Sequence, residues 1–177
     1  MKIFIRLFAL KFFNLPGLVI NIFNKIFMLV NNISWENIES AVKYLANQIK
    51  EDGFEADYII GIAVGGIVPL GLLSKELEVK NILTVSTRSY KKEKQGEPDI
   101  LYFPEVNLSG MKILLVDEIA NTGATLKKVF QAVKDKSVIG EMKTATLAIN
   151  KKNCKFLPDY FAFSSENWIA FPWDKNE

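Results

Sequence analysis

Three short runs of the chain are rich in apolar, β-forming residues: YIIGIA at residues 58–63, NILTVST at 81–87 and KILLV at 112–116. Runs of this kind, bounded by turn residues, predict strands buried on both faces of a parallel sheet. Ahead of them Trp35, Ile38, Val42, Leu45 and Ile49 recur at steps of three and four, which predicts an amphipathic helix that stops at Asp52-Gly53. Ser34 stands where an N-cap is needed, with Ile33 and Ile38 spaced as a hydrophobic staple. Gly65-Gly66 then turns the first strand into a helix over 67 to about 78. A polar loop after Val116 leads to a helix from about 124 to 134 and a strand near 144–149. Between the second and third runs, residues 88–110 are polar around one short strand at 100–103. A connection of that length is usually a lid or disordered. Strands alternating with helices indicate one α/β domain, and no internal repeat or linker interrupts it.

The composition of the 177 residues agrees, with 49% hydrophobic and 24% charged residues, enough apolar material for a core. The chain has no histidine, which removes Ser-His-Asp and Cys-His nucleophile schemes, imidazole bases and imidazole metal ligands together. A single cysteine, Cys154, excludes an internal disulfide and a cysteine-based zinc site. Any chemistry must come from carboxylates, hydroxyls, lysines and backbone amides.

The net charge of +2 averages two unlike parts. Lys2, Arg6, Lys11 and Lys25 put four positive charges and no acid in residues 1–35, which leaves the remainder at −2. A mildly acidic body argues against nucleic-acid binding by a basic face. The first 27 residues also hold six of the thirteen phenylalanines. A membrane span needs about 20 mostly apolar residues, and Lys11, Asn14, Pro16, Asn21, Asn24 and Lys25 interrupt each window. No small-residue cleavage site follows before Trp35, as a signal peptide would require. Two readings fit this leader: a basic, aromatic helix lying in a membrane interface, or an upstream extension with translation beginning at Met28. Residues 28–177 are expected to form the functional domain.

In an open α/β sheet, ligands bind beyond the carboxyl ends of the strands. After the third apolar run the chain reads Val116-Asp117-Glu118-Ile119-Ala120-Asn121-Thr122-Gly123-Ala124-Thr125. Backbone N–H groups where a helix opens, with the Thr122 and Thr125 hydroxyls, suit a phosphate dianion, and Gly123 permits close approach. Two carboxylates repel that phosphate, so Asp117 and Glu118 suit sugar hydroxyls or a hydrated Mg²⁺ beside it. A phosphate and a diol side by side describe a ribose 5-phosphate. A plain N-capped helix after a surface loop is the structural alternative.

This segment resembles the phosphoribosyl pyrophosphate (PRPP) motif of type I phosphoribosyltransferases. Three further matches follow in the same order. Ile60-Gly61-Ile62-Ala63-Val64-Gly65-Gly66-Ile67-Val68-Pro69 is similar to the family's pyrophosphate loop. Ser86-Thr87-Arg88-Ser89-Tyr90 resembles the start of its flexible hood. Asn167-Trp168-Ile169-Ala170-Phe171-Pro172-Trp173-Asp174 resembles the C-terminal base-binding segment of bacterial xanthine-guanine phosphoribosyltransferases. The resemblance spans about residues 33–174 and implies a parallel-sheet α/β fold with a hood and a small C-terminal base-binding segment. It also implies transfer of ribose 5-phosphate from PRPP to a purine base with release of pyrophosphate, Mg²⁺ as cofactor, a cytoplasmic enzyme and a homo-oligomer, dimer or tetramer.

Carried over by position, the resemblance assigns PRPP to Asp117, Glu118, Ala120, Asn121, Thr122, Gly123, Ala124 and Thr125, and the metal to Glu118. Pyrophosphate falls to Ala63, Val64, Gly65, Gly66 and Arg88, with Tyr90 as a second hood residue. The base falls to Lys151, Trp168 as a stacking platform and the Ile169 backbone. The catalytic set is Asp117, Glu118, Asn121 and Arg88. Two departures stand out. The 6-oxopurine enzymes usually carry aspartate as a general base where this chain has Asn121, and an amide cannot take a proton. The pyrophosphate loop often carries Arg or Lys where Val64 stands, so a backbone contact would survive and a charge contact would not. A PRPP-binding regulatory protein without turnover, or a transferase for another base, is the alternative these two positions raise.

Overall fold

The structure is a computed structural model that describes residues 33–88 and 98–174. The leader, Ser89, Tyr90 and the Lys91, Lys92, Lys94 run lie outside the described residues. Helix α1 (Trp35–Glu51) opens as expected at Ser34, whose Oγ accepts the Asn37 N–H while Asn37 Oδ1 accepts the Ser34 N–H at 3.1 Å. This reciprocal capping box uses Asn where Glu or Gln is usual. Ile33 and Ile38 are both buried. Strand β1 (Tyr58–Ala63) coincides with the first apolar run, and α2 (Ile67–Glu76) follows its glycine turn. Next come β2 (Ile82–Arg88), β3 (Asp99–Tyr102), β4 (Lys112–Ala120), α3 (Ala124–Lys136), β5 (Glu141–Asn150) and β6 (Tyr160–Ser165).

The six strands form one sheet in the order β3-β2-β1-β4-β5-β6, parallel except for the antiparallel edge strand β3. Helices α1 and α2 cover one face, burying Leu45, Ile49, Leu70 and Leu73 against Ile59, Leu114 and Val116. Helix α3 covers the other, with Leu126, Val129 and Val133 against Ile60, Ile62, Ile113 and Leu115. Adjacent residues of β1 and β4 therefore serve opposite cores, as the two-residue period of a strand demands. That is why these runs are unbroken in apolar residues.

Three expectations need correction. β2 is not buried on both faces, because only Val85 in it is fully buried and Ile82 is 49% exposed; it lies toward the sheet edge beside β3. The chain does not leave the sheet at Val116, since β4 continues through Asp117, Glu118 and Ile119 to Ala120, paired with β5. β6 is absent from the apolar pattern, its aromatic residues Tyr160, Phe161 and Phe163 being followed at once by polar ones. Among the described residues, no helix is long and apolar enough to cross a membrane.

A polar pair, buried on the Thr144 side and exposed on the Asp159 side, ties β5 to the start of β6. Asp159 Oδ2 accepts both the Thr144 N–H and its hydroxyl at 2.7 Å, and Thr144 Oγ1 accepts the Asp159 N–H at 2.9 Å. Thr144 is 1% exposed, so water cannot replace a lost partner there. Thr144→Val keeps the side-chain shape and removes the hydroxyl; it should lower stability by about 1–3 kcal/mol, read as a lower urea midpoint at unchanged slope.

Candidate active site

From β1 the chain passes to β2 on one side and then returns to β4 on the other, so the strand order reverses between β1 and β4. Reversal points of this kind open a crevice at the carboxyl edge of a parallel sheet. The register shows where it opens. β1 pairs with β4 from Tyr58↔Ile113 to Gly61↔Val116 and no further, whereas β4 pairs with β5 as far as Ala120↔Ile149. Beyond Val116, β4 thus has one hydrogen-bonded neighbour, and its other edge borders the turn at 63–66. Gly66 seats that turn tightly, because a Cβ there would lie 2.6 Å from the Val116 carbonyl oxygen and 2.7 Å from that of Ile62. The Ala63–Val64 peptide is cis, and the Val64 side chain is 82% exposed.

Glu118 projects into this crevice. Its carboxyl packs on Gly65, where any Cβ would overlap it, and its Oε2 accepts the Trp173 indole N–H at 2.9 Å. Burial holds its pKa above the usual carboxylate range; the Trp173 bond works against this and the Asp174 charge adds to it. Asp117, one residue earlier, is directed differently by strand alternation. Its Oδ1 accepts the Glu118 N–H at 2.9 Å, and desolvation pushes its pKa up to about 8, with the Glu118 charge adding in the same direction.

The chain leaves β4 at the exposed Asn121 and enters α3 through Gly123, whose φ of 77° is left-handed. Thr122 Oγ1 accepts the Ala124 N–H at 3.3 Å, so this hydroxyl already serves the first turn of the helix. Gly123 does permit a close approach, but to the protein itself: a Cβ would lie 2.5 Å from the Phe156 carbonyl oxygen. The Lys155 N–H also donates to the Thr122 oxygen at 3.0 Å, so the loop after β5 braces the turn. That loop is shaped by Asn150, whose Oδ1 accepts the N–H groups of Lys152 and Asn153 at 3.1 and 3.0 Å. Neither Asn150 nor Phe156 carries a local sequence signal for such a role.

The parallel strands bring the remaining expected residues to the same edge. Arg88 is exposed at the end of β2, and Lys151 is exposed just past β5, its N–H donating to Ser165 of β6 at 2.9 Å. The segment after β6 separates its two tryptophans. Trp168 is 72% exposed, while Ile169 and Phe171 are buried and Trp173 turns inward onto Glu118. Trp173 is the site residue that sequence reasoning left unassigned; its only signal was its place in the Phe171-Pro172-Trp173-Asp174 run.

Residues 34–176 match the family model for the phosphoribosyl transferase domain. The chain belongs to the phosphoribosyltransferase family. It is 35% identical over 145 residues to the xanthine-guanine phosphoribosyltransferase of Desulfotalea psychrophila, covering 80% of this chain and 84% of that one. The corresponding protein of Cereibacter sphaeroides is 28% identical over 149 residues, covering 81% and 86%. Among solved structures, the purine phosphoribosyltransferase from Pyrococcus horikoshii superposes with a TM-score of 0.73 at 31% identity, covering 82% of this chain and 94% of that one. The mostly parallel six-stranded sheet of this phosphoribosyltransferase is the fold the sequence resemblance implied.

The state of Asp117 has a consequence for stability. Its folded pKa of about 8 lies above the ordinary 3.8, so between those values the folded state binds more protons than the unfolded one. Stability should therefore fall as pH rises through that window and level off above it. Asp117→Asn should flatten the decline and melt higher than the unaltered protein near the upper end of the window, as thermal melts over that range would show.

Proposed function

We propose that this phosphoribosyltransferase moves the 5-phosphoribosyl group of PRPP onto a ring nitrogen of a purine, in the manner of a salvage enzyme. The observation that carries the proposal is the switch-point crevice, with Glu118 fixed at one wall and the Thr122–Thr125 turn opening α3 at its end. In this reading the 5-phosphate lies on the α3 N-terminus and the Thr122 and Thr125 region, where the helix dipole favours a dianion. Glu118 accepts the ribose hydroxyls from its wall of the crevice, while Asp117, on the other face of β4, holds the Glu118 N–H. Pyrophosphate lies against the 63–66 turn, whose backbone amides can hold it although Val64 offers no charge, and Arg88 approaches from β2. The base stacks on exposed Trp168, with Lys151 and the Ile169 backbone at its edge.

The donor set suits Mg²⁺, which binds through one or two carboxylates plus substrate oxygens. Among the described residues no group of three His, Cys, Asp or Glu could hold a metal alone, so Glu118 would share the ion with PRPP. When bound, the ion would neutralise charge on the departing pyrophosphate. The protein's own part is positioning. It holds the anomeric carbon between base and leaving group as the C–O bond to pyrophosphate breaks and the C–N bond to the purine forms. We place the start of the transferase body near residue 28, ahead of the family match.

Turnover with guanine, xanthine, hypoxanthine and adenine, followed as PRPP-dependent nucleotide and pyrophosphate formation, tests the proposal. Formation of a purine nucleotide is expected, favouring a 6-oxopurine. PRPP binding without turnover on any base would instead support the regulatory reading, which the exposed amide of Asn121 favours. Asn121→Asp should raise 6-oxopurine turnover at least tenfold, since a placed general base contributes about 10²–10⁴. An unchanged rate would mean that position 121 does not handle the purine proton.

A further inference from the structure

We infer that Trp173 is a positioning residue for Glu118, tying the C-terminal segment to the sugar side of the crevice. This rests on the reading of Glu118 as the ribose-side acid. A glutamate side chain has three rotatable bonds, and an acid that must meet a sugar hydroxyl gains from losing that freedom before the substrate arrives. Here Glu118 is fixed on two sides, by Gly65 beneath its carboxyl and by the indole N–H at 2.9 Å on Oε2. Oε2 is committed to the indole, while Oε1 lies on the Gly65 side and accepts no hydrogen bond from the described residues.

Trp173 is itself held by its own segment and by the start of α1. Its ring stacks on Phe171 with centroids 4.8 Å apart and planes 8° from parallel, and Trp35 from the start of α1 leans on it at 5.6 Å and 53°. Asp174 closes the turn, accepting the Phe171 N–H on Oδ2 at 2.8 Å and donating its own N–H to the Phe171 oxygen at 3.0 Å. The Ala170 oxygen accepts the Ile33 N–H at 3.2 Å, which fastens the same segment to the entry of α1. An indole N–H donates, never accepts, and does not titrate in the working range, so the donor itself does not change with pH. The segment that presents Trp168 to solvent thus also orients Glu118.

Trp173→Phe keeps an aromatic ring on Phe171 and removes the N–H together with the second ring of the indole. It should weaken Mg·PRPP binding on the order of tenfold, the usual worth of a hydrogen bond to a charged group. Calorimetry and the KM for PRPP would read this, with the KM for the base within twofold; the lost ring volume lowers the melting temperature without altering that split. Unaltered PRPP affinity in a variant that is folded at the assay temperature would overturn the inference. So would a common rise in both KM values, which marks a merely structural role. The unsubstituted protein supplies a second measurement, independent of how the variant folds. Its Trp173 indole N–H resonance, assigned with the aid of Trp35→Phe and Trp168→Phe, should shift on saturation with Mg·PRPP; a fixed resonance at saturation overturns the inference. Failure of the unsubstituted protein to bind Mg·PRPP at all would overturn the functional reading and this inference together. Normal binding with an indifferent Trp173→Phe would overturn this inference alone.

Discussion

The pairing of β4 with β5 outlasts its pairing with β1 by several residues, and the site depends on that mismatch. Up to Val116 the strand is a central member of the sheet, with Ile113 to Val116 fully buried. Past Val116 it keeps the support of β5 and loses β1, so a rigid, hydrogen-bonded backbone borders an open crevice. Two acidic residues sit on this stretch. A loop could offer the same carboxylates, but without β5 their backbone would not be fixed.

Everything else at the carboxyl edge is arranged around that ledge. The turn at 63–66 crowds against it so closely that Gly65 and Gly66 have no room for a side chain. The opening of α3 is pressed onto Phe156, which makes Gly123 a structural necessity. The C-terminal segment comes back across the α1 entry and ends with Trp173 on Glu118. Sites assembled in this way need no imidazole. Positioning, dipoles and carboxylates suffice for a reaction whose nucleophile and leaving group both come from the substrates.

The sequence was most legible where one local force decides the outcome. β1 falls where an apolar run says it should, and α1 starts where Ser34 can cap it. The helix after Gly123 begins at the expected residue. Legibility failed where neighbours decide. Asp117 and Glu118 look like the start of a loop because acids are poor strand formers, yet the ladder to β5 carries the strand through them. β2 reads as buried because its composition is apolar, but burial depends on which strands and helices lie beside it, and β3 leaves it near an edge. Trp168 and Trp173 have the same chemistry and lie five positions apart, and nothing local says which is exposed.

By itself the sequence determined the α/β class, the element order and the chemistry available, because periodicity, turn residues and the absence of histidine are properties of the chain alone. It also carried the family, through motifs whose order and spacing survive without coordinates. The tertiary structure decided the extent of β4, the opposite directions of the two acids, the bracing of the Gly123 turn by Phe156 and the bond from Trp173 to Glu118. These are contacts between residues up to 55 positions apart, and only the packing of the sheet and its helices brings such residues within hydrogen-bond reach.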